Sequence, residues 1–478
     1  MERQAQLAQF FTPPAIAQFM ASLFTPGVNN SCVLLDAGAG RGSLSQAFLD
    51  RWVSGDLPFT SVRLDAFEID EALCIPLGQT LAKYKGLPGF IACIHNTDFI
   101  NAAADSLSSP ILARNTVLYT HAILNPPYKK IDRNSHYRGT IRRVGIETVN
   151  LYSAFVALSL SLLAEHGQLV AIIPRSFCNG PYYRPFRDFV FKHAALRRMH
   201  LFKSRTTAFK NDDVLQENII VMLERGCGQG HVTVSSSTDH SFSDLTTHQF
   251  AFDQIVLTGD PERVIHVPTS SGQNALDLLP RTSYSLEQLG IEVSTGPVVD
   301  FRVREHLRDI PEPHSVPLLY PSHFSRSTTI WPRPEGKKPN AILFNAETRK
   351  WLYPNGYYCV VRRLSSKEEK RRIVASVVEP SAFPDAQMIG FENHLNVLHE
   401  HKHGLPEALA RGLAMYLNTT AVDEYFRRFN GHTQVNATDL RLIKFPGRDV
   451  LIQLGEWARQ QRELTQTLID DAYGALSK

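Results

Sequence analysis

Residues 32–52 read "CVLLDAGAGRGSLSQAFLDRW". The run "CVLLDAG" has the apolar character of a buried strand, and "SLSQAFLDRW" has the pattern of a helix. Between them fall Asp36, Gly38, Gly40 and Gly42. Glycines there let the backbone turn tightly and approach a ligand closely at a helix N-terminus. The same rhythm continues outward. "SVRLDAFEID" reads as a strand and "EALCIPLGQTLAKY" as a helix. "VLYTHAILNPP" is a strand, "LYSAFVALSLSLLAEHG" a helix and "QLVAIIP" a strand. "YYRPFRDFVFKHA" is a helix, followed by the strands "LRRMHLF" and "ENIIVMLER". This alternation predicts a parallel, doubly wound α/β sheet, with ligands at the carboxyl ends of its strands.

The character changes after about residue 225. "GCGQGHVTVSSSTDHSFSD" is rich in Gly, Ser and Thr, and beyond about 270 prolines and short strands replace the α/β rhythm. A domain change is expected between 240 and 280, giving domains at 1–270 and 271–478. A chain of 478 residues is long enough for two or three such domains. The net charge of +3 is too small to demand a nucleic-acid partner, yet "KKIDRNSHYRGTIRR" (Lys129–Arg143) concentrates basic charge in one place. The six cysteines are scattered without metal-ligand spacing and read as reduced thiols. The N-terminus lacks signal-peptide character, and the longest apolar stretch is too short to span a membrane, so a cytoplasmic protein is expected.

The third segment ends in Asn125-Pro126-Pro127-Tyr128. Two prolines fix an extended turn and remove two amide donors. The asparagine side chain and the carbonyls are left to accept hydrogen bonds. Such a turn can grip a planar exocyclic NH2 group while a flat ring lies beside the tyrosine. At the end of the second segment, Glu68 can accept both hydroxyls of a ribose, whereas Asp70 suits the cap of the next helix. Thr12 reads as the cap of a helix begun by Pro13 and Pro14. The "DF" pair, Asp98 and Phe99, reads equally as a turn with a core phenylalanine.

An acidic residue ahead of three spaced glycines, in the order D-x-G-x-G-x-G, resembles the S-adenosylmethionine loop of class I methyltransferases. That resemblance implies that the loop of Asp36, Gly38 and Gly40 packs against the methionine part of the cofactor. It also implies that Glu68 holds the ribose, that Asp98 takes the adenine amine and that Phe99 covers the ring. Phe11, Thr12 and Pro13 resemble the Phe-Thr-Pro motif that closes over the methionine moiety in amino-methyltransferases. The order of Phe-Thr-Pro, glycine loop, NPPY and a long C-terminal region is similar to the gamma class of DNA adenine-specific amino-methyltransferases. Only 83 positions separate Gly42 from Asn125, too few to hold a recognition domain as well. Phe209 matches the place where that class stacks a second aromatic on the flipped base. "VSTGPVVDFR", "GFENHLNVLH" and "FNGHTQVNATDLRLIKFP" resemble segments of methyltransferases from type II restriction-modification systems.

The resemblance implies a class I (Rossmann-like) α/β catalytic domain followed by a mixed α+β target-recognition domain. It implies an S-adenosylmethionine-dependent DNA adenine-N6 methyltransferase that flips its target base. Asn125 and the Pro126 carbonyl would accept from the amine, Pro127 would fix the turn, and Tyr128 and Phe209 would sandwich the ring. Lys129, Lys130, Arg142 and Arg143 would hold phosphates, and His432, Gln434 and Asn436 would reach phosphates or base edges. These last polar groups could equally form a hydrogen-bonded turn. Double-stranded DNA, functional pairing with a restriction endonuclease and a monomeric state are expected, and no metal. A protein glutamine or RNA adenine methyltransferase and a non-catalytic DNA-binding module are the rival readings.

Overall fold

The computed structural model describes residues 12–26, 30–108, 118–132, 134–202, 217–268, 284–325, 328–366, 368–431 and 433–477. The chain forms two compact units, 1–271 and 272–478.

Unit 1 is built on a nine-stranded sheet. β1 (Ser31–Ala37) pairs in parallel with β2 (Ser61–Phe67) over its whole length and with β4 (Tyr119–Leu124) on its other side. β3 (Phe90–His95) extends the β2 edge, and β5 (Leu163–Pro174) extends the β4 edge, all in parallel. β7 (Asn218–Arg225) then inserts antiparallel between β5 and β6 (Ala194–Phe202). β8 (His231–Ser237) runs parallel to β6, and β9 (Thr246–Ala251) antiparallel to β8. The spatial order is β3-β2-β1-β4-β5-β7-β6-β8-β9. The sheet is therefore mixed, where the sequence reading expected it to be parallel. The departure lies at β7, which pairs antiparallel with both β5 and β6, and at β9, which pairs antiparallel with β8.

β1 shows how the layers form. Leu35 and Ala37 pack into one apolar core with α4 (Phe99–Ser108), α6 (Leu151–Leu162) and α7 (Arg184–His193). Cys32 and Leu34 face the opposite core with α1 (Pro14–Ser22), α2 (Ser43–Val53) and α3 (Glu71–Ala82). Successive side chains of a strand point to opposite faces, so the continuous apolar run is that of a strand sandwiched between helix layers. α5 (His136–Arg143) lies in the segment between β4 and α6. α6 ends at Leu162, five residues earlier than expected: Leu163 turns extended to pair with Tyr119, and the chain bends at His166 with φ +64°.

Unit 2 carries one sheet of β10 (Glu292–Thr295), β17 (Tyr358–Arg362), β18 (Ala375–Val378) and β20 (Leu395–His399), in the order β10-β20-β17-β18. A second contains β11 (Leu307–Arg308), β12 (Ser315–Leu319), β15 (Ala341–Leu343), β16 (Leu352–Pro354) and β19 (Met388–Phe391), in the order β11-β15-β12-β19-β16. β13 (Phe324–Ser325) and β14 (Thr328–Thr329) form a separate antiparallel pair. With α8 (Phe252–Ile255) closing the helices of unit 1, the C-terminal helices are α9 (Glu407–Leu417), α10 (Thr420–Phe429), α11 (Ala437–Leu442), α12 (Arg448–Gln460) and α13 (Gln466–Leu476). α9 and α12 approach so closely that a Cβ at Gly455 would lie 1.7 Å from the Ala408 carbonyl oxygen. Among the described residues, no helix is long and apolar enough to cross a membrane.

Candidate active site

Four adjacent parallel strands, β3, β2, β1 and β4, lead at their carboxyl ends into Asp98, Glu68, the glycine loop and Asn125. After β1 the backbone takes left-handed conformations at Gly38 (φ +78°), Gly40 (φ +57°) and Gly42 (φ +85°), which side-chain-bearing residues rarely adopt. A Cβ at Gly42 would lie 2.8 Å from the Leu77 side chain. The amides of Gly38 and Ala39 both donate to the Phe67 carbonyl at 2.9 Å, which binds the loop to the end of β2.

Glu68 follows directly. Its carboxylate accepts from the Gly40 amide and from the Asp70 amide, each at 2.8 Å, and is 3% exposed. Burial raises its pKa, and backbone hydrogen bonds, from Asp70 and Gly40 above all, counter the rise. Asp70 caps α3 by accepting from the Ala72 amide at 3.1 Å.

Asp36 behaves differently from the expectation of direct cofactor contact. It is fully buried and accepts from the Ser45 hydroxyl at 2.5 Å, so it braces the loop from beneath. Burial pushes its carboxyl up to about 7. Phe99 also departs from its expected role as the cover of an adenine ring. It is 3% exposed and packs edge-on against Phe67 and tilted against Phe155, with centroids 5.3 and 5.2 Å away. Phe155, which the sequence reading did not single out, lies 3.6 Å from where a Cβ on Gly38 would sit. Asp98 uses Oδ1 to accept from the amide of Ile100 at 2.8 Å, at the start of α4.

β4 delivers the NPPY turn. The Asn125 Nδ2 donates to the Thr12 hydroxyl oxygen at 2.9 Å. Thr12 is therefore engaged with Asn125, and the cap position of α1 falls to Pro13. The Tyr128 hydroxyl lies 3.1 Å from both Asn125 Oδ1 and the Ile172 carbonyl oxygen. Tyr152 meets the Tyr128 ring edge-on at 6.3 Å and stacks on Tyr183 at 6.2 Å. At the adjoining strand ends, Arg175 and Glu217 form a buried ion pair at 2.9 Å. Neither the two tyrosines nor this pair had a motif to mark it. Phe11, Phe209 and His432 lie outside the described residues.

The basic segment is more occupied than its sequence suggests. Lys129 and Lys130 are exposed, whereas Arg142 pairs with Glu147 at 2.7 Å and Arg143 with Asp105 at 3.2 Å. In unit 2 the Asn436 amide and side-chain Nδ2 both reach the Asp439 carboxylate, at 2.9 and 3.3 Å, closing the first turn of α11. Asn430 donates to the same carboxylate at 2.9 Å, and the buried Arg372 donates to Asn430 Oδ1 at 2.9 Å. Gln434 accepts from Arg363 at 3.3 Å. These contacts correct the expectation for Asn436, whose side chain serves the turn. Far from the NPPY turn in the strand direction, His166, Glu224 and Cys227 converge, but Arg197 already binds Glu224 at 2.6 Å.

The chain is 52% identical over 465 residues to the type II methyltransferase M.BsuBI of Bacillus subtilis, covering 97% of this chain and 92% of that protein. The chain belongs to the type II restriction-modification methyltransferases. It is also 42% identical over 477 residues to M.PstI of Providencia stuartii, covering 98% of this chain and 92% of that one. Residues 93–209 match the Eco57I restriction-modification methylase family. Among solved structures, the DrdV–DNA complex aligns with a TM-score of 0.52 at 12% identity, over 95% of this chain and 57% of that one. A nuclease-deletion mutant of the type ISP enzyme LlaGI, solved with a DNA substrate mimic, gives 0.52 at 11% identity, over 94% of this chain and 54% of that one. The chain thus spans a little over half of each of those two larger chains, and the likeness is one of fold.

The cofactor of this methyltransferase family is S-adenosylmethionine. The residues present fit it. Three left-handed glycines keep side chains out of the loop after β1, and Glu68 sets a carboxylate, the acceptor type that suits a ribose diol, at the end of β2.

Proposed function

We propose that the chain methylates the N6 amine of an adenine flipped out of duplex DNA, protecting a short sequence from a partner endonuclease in the cytoplasm of a prokaryote, and that it acts as a monomer of the gamma class. The observation that carries this reading is the polarity of the Asn125 carboxamide. Because Nδ2 is committed to Thr12, the other end of the amide is an acceptor. Tyr128 has one hydroxyl proton for two acceptors at 3.1 Å, Ile172 O and Asn125 Oδ1. An amide oxygen carries two lone pairs, so Asn125 Oδ1 is of the kind that can accept from an NH2 donor as well as from Tyr128.

Bound S-adenosylmethionine supplies an electrophilic methyl group. The chain's own residues do the rest by placement. Asn125 Oδ1 and the Pro126 carbonyl accept the two amine hydrogens, which concentrates the nitrogen lone pair on the remaining direction. Pro126 and Pro127 hold those acceptors still, so little reorganisation is needed at reaction. Tyr128 lies on one ring face, and Phe209 is assigned to the other. Glu68 holds the ribose hydroxyls, Asp98 the adenine amine of the cofactor, and Phe11, Thr12 and Pro13 the methionine end. Residues 1–270 catalyse, and 271–478 choose the target sequence.

The test is transfer of labelled methyl to duplex DNA, to RNA of the same sequence and to a glutamine-containing peptide. Incorporation confined to DNA is expected. Preferential labelling of RNA or peptide would overturn the reading.

A further inference from the structure

The helix that follows the NPPY turn is stitched to the helix that follows Asp98. Asp98, Asn101 and Asp105 are spaced three and four apart, and so share one side of α4. His136, Tyr137, Thr140 and Arg143 answer them from α5. The Tyr137 hydroxyl donates to Asp98 Oδ2 at 2.5 Å. His136 Nε2 and the Thr140 hydroxyl meet Asn101 Oδ1 at 3.2 and 3.4 Å, and Arg143 meets Asp105 at 3.2 Å. The root of the segment is tied as well: the Ile131 amide donates to Val149 O, and the Leu151 amide to Lys129 O, each at 2.8 Å. α5 therefore hangs on the residue next to Tyr128 while its side chains grip the start of α4.

We propose that Tyr137 is a positioning residue for the nucleoside end of the methyl donor, acting through Asp98 and linking cofactor recognition to the segment behind the catalytic turn. This rests on the assignment of Asp98 to the adenine amine. Asp98 Oδ1 is committed to the start of α4, and Oδ2 carries the Tyr137 contact, with a second lone pair to offer. The hydroxyl fixes that lone pair's direction. Burial and the neighbouring Asp98 hold the phenol of Tyr137 up at about 12, so it stays a donor throughout the neutral range.

The experiment is calorimetric titration of the full chain and its Tyr137→Phe and Asp98→Asn variants with S-adenosylhomocysteine and with S-inosylhomocysteine. The inosyl compound has a carbonyl where the amine would be. Tyr137→Phe should weaken S-adenosylhomocysteine binding by about three- to tenfold, the range of one hydrogen bond. It should leave the inosyl compound nearly unchanged, so the preference between the two ligands shrinks. Equal weakening of both ligands would mean that only packing was lost, and unchanged binding of both would mean that the hydroxyl does nothing; either overturns the proposal while leaving Asp98 its role. If Asp98→Asn itself bound S-adenosylhomocysteine like the wild type, the Asp98 assignment would fall, and the Tyr137 proposal with it.

Discussion

The acceptor end of Asn125 and the ring of Tyr128 separate into distinct mutant behaviours. Asn125→Ala removes an acceptor used in the transition state and should lower kcat by at least about a hundredfold, by analogy with loss of a preorganised hydrogen-bonding group. S-adenosylhomocysteine affinity should fall much less than kcat, since in the proposed role Asn125 serves the base and meets the assigned cofactor residues only through Thr12. Tyr128→Phe keeps the ring and loses only the hydroxyl contacts to Ile172 and Asn125, so its kcat should fall far less than that of Tyr128→Ala. A pre-steady-state comparison of the three variants checks this ordering. Asp36 gives a pH prediction. Its folded pKa of about 7 lies above an unfolded value near 3.8, so its stabilising contribution is complete below the unfolded value and is lost as pH rises through 7. The stability of the wild type relative to Asp36→Asn should therefore fall between about pH 4 and pH 7, by up to about 1.4 kcal/mol per pH unit, and level off above 7. Denaturant unfolding at several pH values measures it, and a pH-independent difference would mean the carboxyl is ionised in the folded chain. These residues were legible in sequence as members of the site because each sits next to glycines or prolines that constrain the backbone. Their division of labour was not: a string cannot show that Asp36 is sealed under its loop or that Thr12 takes the Asn125 amide.

At the level of elements, α5 replaces a loosely read basic run. All three of its arginines pair with acids, Arg138 and Arg142 with Glu147 and Arg143 with Asp105, while Lys129 and Lys130 stand exposed beside Tyr128. Replacing both lysines by alanine should weaken binding to cognate and scrambled DNA alike and flatten the slope of log affinity against log salt by about one per lysine. Replacing Arg142 and Arg143 should change it less, because competing carboxylates already neutralise them. Titrations at several salt concentrations decide the order. The alternating strands and helices around the glycine loop and the NPPY turn were readable from apolar runs. β3 was missed because it is an edge strand, with Ile91 63% exposed, and lacks a continuous apolar signal. β8 and β9 were missed because serine and threonine fill them: Ser235 and Ser237 bond the buried His200 at 2.9 and 3.2 Å, so polar residues there are core.

Across the whole molecule, the two units divide near residue 271, where turns and prolines had already signalled a change. The assignment of target choice to residues 271–478 predicts that a chain ending near 271 loses sequence preference. The Asn430–Asp439 network makes a separate prediction. Asn436→Ala removes a side-chain hydrogen bond to Asp439 and should cost about 1 kcal/mol of stability. It should weaken cognate and random DNA binding equally, in contrast to a base-contacting residue; a selective loss at the cognate site would restore Asn436 to recognition. The most direct measurement is methylation of plasmid DNA by the purified chain with labelled S-adenosylmethionine, followed by sequencing that locates each modified base and identifies the methylated atom. The predicted result is N6-methyladenine at one short sequence, absent with Asn125→Ala. Methylation of cytosine, or adenine methylation scattered without a shared sequence, would contradict the account.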